Sequence, residues 1–366
     1  MTAPKRRTKV RLKAKMPAAV LTALRRIELA SVPVPEPGPG ELLLRMTAVG
    51  LCGSDLHYWR CGRIGDQIVK LPQRLGHEPA GLVAALGRGC RRGFAEGQAV
   101  AIEPGVWCGA CLACEGGRQN LCYGMRFLGA PGEAGALQPF LVMPEANVEP
   151  LAPRVDPARA TAAEPLGIAL QAFDLVKLRA GESVAVIGGG PVGLCVAALA
   201  QAAGARVVAL SEPRSARAKA ARALNVQAAV DARPEALIEA ARAATGGYGA
   251  DVVVECSGAA ETLNTAILAA ARGGRIAIVG IPEVDSIPVD PHHWRRKELL
   301  IASVRRSNRT LGRALALLER NDLGLAKAGY FSKLLGLEEL QSAFEDLDDP
   351  ASRAIKLTVD PSRALG

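Results

Sequence analysis

The sequence predicts an α/β protein in which a doubly wound parallel sheet is inserted late in a β-rich domain. Three observations predict it. Residues 18–152 run as short strands and turns punctuated by Pro and Gly, with weak helical periodicity. After Pro165 apolar strands alternate with Ala-rich helices. Strands apolar along their whole length are buried on both faces, as in a parallel sheet covered by helices. Beyond Val304 the chain returns to mixed helix and strand up to Lys356-Leu-Thr-Val. These changes divide the chain into a basic tail (1–15), a β-rich domain (16–165), a domain of alternating strands and helices (166–304) and a return to the first domain (305–366).

In chain order, the tail carries seven Lys/Arg and no acid, and without it the net charge falls from +9 to +2. Such a run predicts a disordered arm, with the first strand starting near Met16. The tail would attract phosphate at low salt, but the near-neutral body argues against a nucleic-acid partner. Val32–Met46 has the punctuation of a turn feeding a strand. In the second domain the strands are SVAVIG, RVVALS, QAAVDA, DVVVEC, RIAIVG and LLIASV, and helices are expected over 192–203, 214–224 and 235–244. No apolar run approaches the roughly 18 residues of a membrane span. The start lacks the hydrophobic core of a secretory signal. A cytoplasmic protein without a membrane partner is expected.

The clearest metal signature is Cys108-Gly-Ala-Cys111-Leu-Ala-Cys114, followed after seven residues by Cys122. Four thiolates at short spacing close a tetrahedral zinc site and leave no position open for substrate. The site is therefore structural. Dense Cys-x-x-Cys spacing without a secretory signal favours metal-bound thiolates over disulfides. Cys61, Cys90, Cys195 and Cys256 fall outside ligand patterns and read as free, mostly buried thiols.

Gly188-Gly-Gly190-Pro191-Val192-Gly193 follows a strand, opens a helix and precedes an acid, Glu212, at the end of the next strand. In that context it is a dinucleotide fingerprint. Gly188 permits the tight turn, Gly190 lets the backbone approach the pyrophosphate, and Gly193 lets the helix pack closely. The helix N-terminus attracts phosphate, and Pro191 gives up an N–H that has no intrahelical partner. Glu212 accepts from the ribose hydroxyls and repels a 2′-phosphate, which favours NAD. Arg214 and Arg217 lie close enough to meet a phosphate. Ser257, Val279 and Val304 sit at the ends of later strands, where the cofactor cleft is expected.

A catalytic metal needs an incomplete ligand set elsewhere. Cys52, His77 and Glu164 offer a thiolate, an imidazole and a carboxylate, three ligands with an open fourth position. Spacing alone does not group them. Cys52 reads equally as a buried thiol, and Glu164 as an acid at the start of a surface helix.

GLCGSDLHYW, GHEPAG, the cysteine lobe, EPLGIAL and the glycine motif together resemble the zinc-dependent medium-chain dehydrogenases over roughly residues 16–362. Within that superfamily CGSDLHYWRCGRIGD is most similar to the polyol branch, the sorbitol and xylitol dehydrogenases. The resemblance implies a GroES-like catalytic domain around a Rossmann domain. It implies a catalytic zinc on Cys52, His77 and Glu164 and a structural zinc on the four lobe cysteines. Glu78 would be a neighbouring carboxylate or alternate ligand, and Asp55 would orient His77. Ser54 would pass the substrate's proton through the cofactor ribose toward His57.

Tyr58, Glu164 and Arg305 would line the substrate site. Arg306 stands where the family has a tyrosine, which opens the way to a sugar acid or other anionic substrate; it also reads as a solvated charge. The adjacent His292 and His293 lie in a Pro-rich stretch read as a turn, with no metal role. The expected reaction is NAD-linked oxidation of a polyol's secondary alcohol. The alternative is a threonine, butanediol or other secondary-alcohol dehydrogenase of the same superfamily. A homotetramer or homodimer is implied. A nucleic-acid-binding protein built on the tail and the cysteine lobe is the competing class.

Overall fold

The computed structural model describes residues 14–321 and 323–365; nearly all of the basic tail lies outside them. The first strand, Lys15–Ala23, forms a hairpin with Arg26–Pro33. The β-rich sheet has seven strands. Its path runs Val148–Pro150, Ala99–Ile102, Glu78–Leu86, Glu41–Gly50, Lys356–Val359 and Phe331–Leu335, and Phe140–Pro144 also pairs with Glu41–Gly50. The chain's C-terminal segment thus supplies two strands of its N-terminal sheet. Gly50 is the pivot, because it pairs with Glu78 on one side and Thr358 on the other.

The second sheet is parallel and six-stranded, ordered Ala229–Val230, Arg206–Ser211, Ser183–Ile187, Ala250–Glu255, Ala270–Ile278 and Leu300–Ser303. Numbered along the chain this is the 3-2-1-4-5-6 order of a dinucleotide-binding sheet. Every residue of Ser183–Ile187 is buried, as continuous apolar strands require. The helices are Pro191–Ala202, Ser215–Ala223 and Pro234–Ala243, each within a residue of its expected bounds. Among the described residues no helix is long and apolar enough to cross a membrane.

Three features differ from expectation. The Pro-rich stretch around His292 and His293 is a helix, Pro291–Lys297, rather than a turn. Pro291 at its first position and Asp290 accepting from the His292 N–H at 2.8 Å are helix-start signals. Both histidines are exposed there. Of the four unassigned cysteines only Cys195 is fully buried; Cys90 and Cys256 are half-buried, and Cys61, at the end of a helix, is exposed. The β-rich domain also contains an unexpected helix, Gly53–Cys61.

Candidate active site

The Gly53–Cys61 helix builds one wall of the site. Asp55 explains its start, because one carboxylate oxygen accepts from the Cys52 N–H at 3.1 Å, as in a capping box. The other accepts from the Gly76 N–H at 3.0 Å and faces His77 Nδ1 at 3.3 Å. One buried carboxylate therefore fixes the loop of Cys52 and the loop of His77 together. Burial would raise the Asp55 carboxyl, but His77 and the two N–H donors outweigh it and hold it below its usual value.

With Nδ1 turned to Asp55, Nε2 is the His77 nitrogen left for a metal, and Ser54 Oγ lies 3.3 Å from it. Cys52, His77 and Glu78 present ligand atoms within 4.8 Å of one another. Burial would lower the His77 pKa, but Asp55 and Cys52 hold it well above its usual value. Groups that bind a proton there so strongly suit a dication, which exchanges for that proton on binding. The donor set fits zinc.

Glu164 lies outside the 4.8 Å group. It stands in the first turn of the Ala163–Val176 helix, half-buried at the same site. Burial pushes its carboxyl up to about 7, with His77 opposing and Glu78 reinforcing. Glu78 is fully buried against Lys356, an equally buried cation that also donates to the Leu51 carbonyl at 3.1 Å. The sequence reading missed Lys356. A Cβ at Gly50 would collide with Glu78 Oε2, so glycine at the pivot makes room for this pair.

The cysteine lobe is a second, separate cluster. Its sulfurs are 3.5 Å apart for Cys111–Cys114 and Cys108–Cys122, and 3.9 Å for Cys111–Cys122. Zinc–sulfur bonds of about 2.3 Å in a tetrahedron imply edges of about 3.8 Å. Backbone N–H groups of Cys114 and Tyr123 hold Cys111 down at about 6, while burial pushes Cys114 up to about 12, so four thiolates together call for a cation's charge.

The lobe is stitched to the segment carrying Arg305. Asn120 donates to the Arg305 carbonyl at 2.9 Å, and Asn308 to the Gly117 carbonyl at 2.9 Å. Cys114→Ser is expected to remove one zinc per chain and lower the melting temperature. It should raise substrate KM while leaving NADH affinity nearly unchanged. Zinc analysis and fluorescence titration with NADH check this; an unchanged zinc content refutes the assignment.

The cofactor cleft lies where the strand order reverses. Gly188 has φ +91°, and a Cβ there would sit 3.1 Å from the Ser257 N–H nitrogen of the neighbouring strand's loop. A Cβ at Gly193 would collide with the Gly188 carbonyl, so the helix packs closely only because residue 193 is glycine. Ser257, Val279 and Val304 follow strands Ala250–Glu255, Ala270–Ile278 and Leu300–Ser303, beyond the carboxyl ends of the parallel sheet, where such sheets bind their ligands. Glu212 is buried and accepts from the Gly189 and Arg214 N–H groups, each at 2.8 Å. Arg217 reaches beside Gly190, and Arg214 donates to the Leu347 carbonyl at 3.2 Å.

Pro191 and Val192 open the helix. Farther along, Cys195 lies close enough to Lys356, Glu78 and Glu164 to feel their charges. The cofactor helix thus packs directly behind the metal site.

Residues 38–153 match the alcohol dehydrogenase GroES-like domain, and residues 191–320 the zinc-binding dehydrogenase domain. Sorbitol dehydrogenase of Bacillus subtilis is 34% identical over 349 residues, spanning 95% of this chain and 98% of the relative. The chain belongs to the zinc-dependent medium-chain dehydrogenases, in their polyol branch. Human sorbitol dehydrogenase is 33% identical over 339 residues, spanning 92% of this chain and 94% of the relative. Among solved structures, a zinc-binding dehydrogenase from Sinorhizobium meliloti 1021 bound to NADP superposes with a TM-score of 0.86. It is 29% identical and covers 95% of this chain and 100% of its own. As a family member this chain is a zinc- and nicotinamide-dependent oxidoreductase.

Two features of the site had no sequence signal. Glu283, beyond the Ala270–Ile278 strand, reaches back to the Gly53–Cys61 helix, 2.8 Å from Arg60 and 3.6 Å from His57. Asp285 meets Arg63 at 3.1 Å. These pairs tie the nucleotide-binding sheet to the wall that carries Cys52.

Proposed function

We propose that this dehydrogenase oxidises a secondary alcohol of a polyol to a ketone, passing hydride to NAD. The reading is carried by the convergence of Cys52, His77 and Glu78, with Glu164 beside them, against the back of the cofactor helix. Zinc held by Cys52, His77 and one of these carboxylates supplies Lewis-acid activation of the hydroxyl. We assign Glu164 as the third ligand and Glu78 as the carboxylate that exchanges with it.

The chain's own residues manage the proton. Ser54 Oγ is placed to accept from the substrate hydroxyl and passes the proton toward His57. The two lie three residues apart, on one face of a helix. Burial lowers the His57 pKa, with Glu283 partly opposing. His57 is therefore neutral and ready to accept a proton at neutral pH. NAD held at the Gly188–Gly193 turn would supply the hydride acceptor, so that ketone, NADH and one proton would balance the reaction. NAD is favoured over NADP because the buried Glu212 carboxylate would meet a 2′-phosphate. The assembly is a homotetramer or homodimer, and the location cytoplasmic.

The test is a panel of neutral polyols, sugar acids, threonine and butanediol with NAD and with NADP, followed by NADH absorbance. Turnover of threonine or butanediol alone refutes the polyol reading. Ser54→Ala should lower kcat by about 10²-fold or more, within the range of general acid–base catalysis, with zinc content unchanged. Unaltered turnover takes Ser54 out of the relay.

A further inference from the structure

Arg306 is a half-buried cation, and the one carboxyl whose charge it feels, Glu103, is pushed up to about 8 by burial and by Glu164, so that it is mostly neutral at neutral pH. Its guanidinium lies 4.4 Å from the centre of the Phe127 ring, and that ring lies 5.6 Å from the His77 ring. The guanidinium is therefore within about 10 Å of His77. Among the described residues it makes no hydrogen bond or ion pair. Other arginines around the site are engaged: Arg60 pairs with Glu283 and Asp348, Arg63 with Asp285, and Arg126 with Glu133. Arg305 is exposed and makes one long side-chain contact, 3.5 Å to Gln67.

The backbone holds Arg306 at φ +56°, a left-handed conformation uncommon for a long side chain. Such a conformation persists only where the surroundings enforce it. Here the cysteine lobe does so, through Asn120 and Asn308. Burial first, and Arg305 second, push the Arg306 pKa down to about 10, so the group stays charged at neutral pH. A desolvated charge without a partner is unfavourable until one arrives. A guanidinium matches carboxylate or phosphate with two parallel hydrogen bonds.

We propose that the substrate is an anionic polyol, whose carboxylate or phosphate is received by Arg306, with Arg305 beside it, while the reacting hydroxyl lies at His77. The separation is one that the carbon chain of a sugar acid can bridge. This inference rests on the polyol reading and names its substrate class.

Initial rates with NAD are compared for a neutral hexitol, a hexonate and a hexitol phosphate, using wild type, Arg306→Gln and Arg306→Lys. Zinc content and NADH binding serve as folding controls. At least one anionic substrate should exceed the hexitol in kcat/KM, and which one identifies the anion. Arg306→Gln should raise its KM by about 10- to 100-fold, the range for hydrogen bonds to a charged group, with kcat nearly unchanged. Arg306→Lys should recover part of that loss, and the hexitol should respond to neither variant. A hexitol preference with equal effects of Arg306→Gln on all three substrates overturns the inference and leaves the polyol reading standing. Turnover of threonine or butanediol but none of the three overturns both.

Discussion

Replacing Cys52 by Ala is expected to remove one zinc per chain, leave the second in the cysteine lobe, and lower kcat/KM by about 10³-fold or more. The magnitude follows from a bound metal's contribution of several kcal/mol to transition-state stabilisation, at about 1.4 kcal/mol per tenfold. The lobe should be indifferent, because its sulfurs form a separate cluster and its link to the rest of the chain runs through Asn120 and Asn308. Metal analysis alongside NADH formation reads both effects. Full activity in a variant with one zinc would place catalysis elsewhere. Loss of both metals would mean that the sites are not independent.

Lys356→Met is expected to destabilise the protein by about 3–5 kcal/mol, the range for breaking a buried ion pair from one side. Lys356 and Glu78 are both inaccessible to solvent, so removing the ammonium strands a carboxylate that water cannot reach. Replacing Glu78 by Gln in the same chain should recover more than half of the loss, since a neutral amide needs no counter-ion. Urea denaturation of wild type, single variant and double variant measures this. A change within about 0.5 kcal/mol for Lys356→Met, the usual range for an inconsequential substitution, would show that the pair contributes nothing.

The two local signatures were legible in the sequence. The cysteine lobe and the glycine turn each place their functional atoms within one short stretch, so spacing alone carries the geometry. The alternation of apolar strands and Ala-rich helices carried the parallel sheet for the same reason, since burial on both faces leaves no polar alternation. The Gly53–Cys61 helix was missed although its signals were present: Asp55 three residues after Cys52, and Gly62 at its end with φ +69°. Its apolar periodicity is weak because its residues serve the site as much as the core. The turn expected around His292 failed where a Pro and an Asp mark a helix start rather than a bend.

By itself the sequence determined that four cysteines stand at the spacing of a closed zinc site, that a glycine turn has the form of a dinucleotide fingerprint, and that strand and helix alternate through the second domain. Only the tertiary structure decided that Cys52, His77, Glu78, Glu164 and Lys356 share one place. Gly50 pairs with Glu78 in one neighbouring strand and Thr358 in the other, and Lys356 lies two residues from Thr358, on the same face. Groups hundreds of residues apart are thereby stacked beneath Cys52. The setting of Arg306 is decided in the same way: the fold makes it no ion pair and brings near it Glu103, whose carboxyl burial pushes up to about 8. Strand order and register are properties of the whole sheet, and no local pattern encodes them.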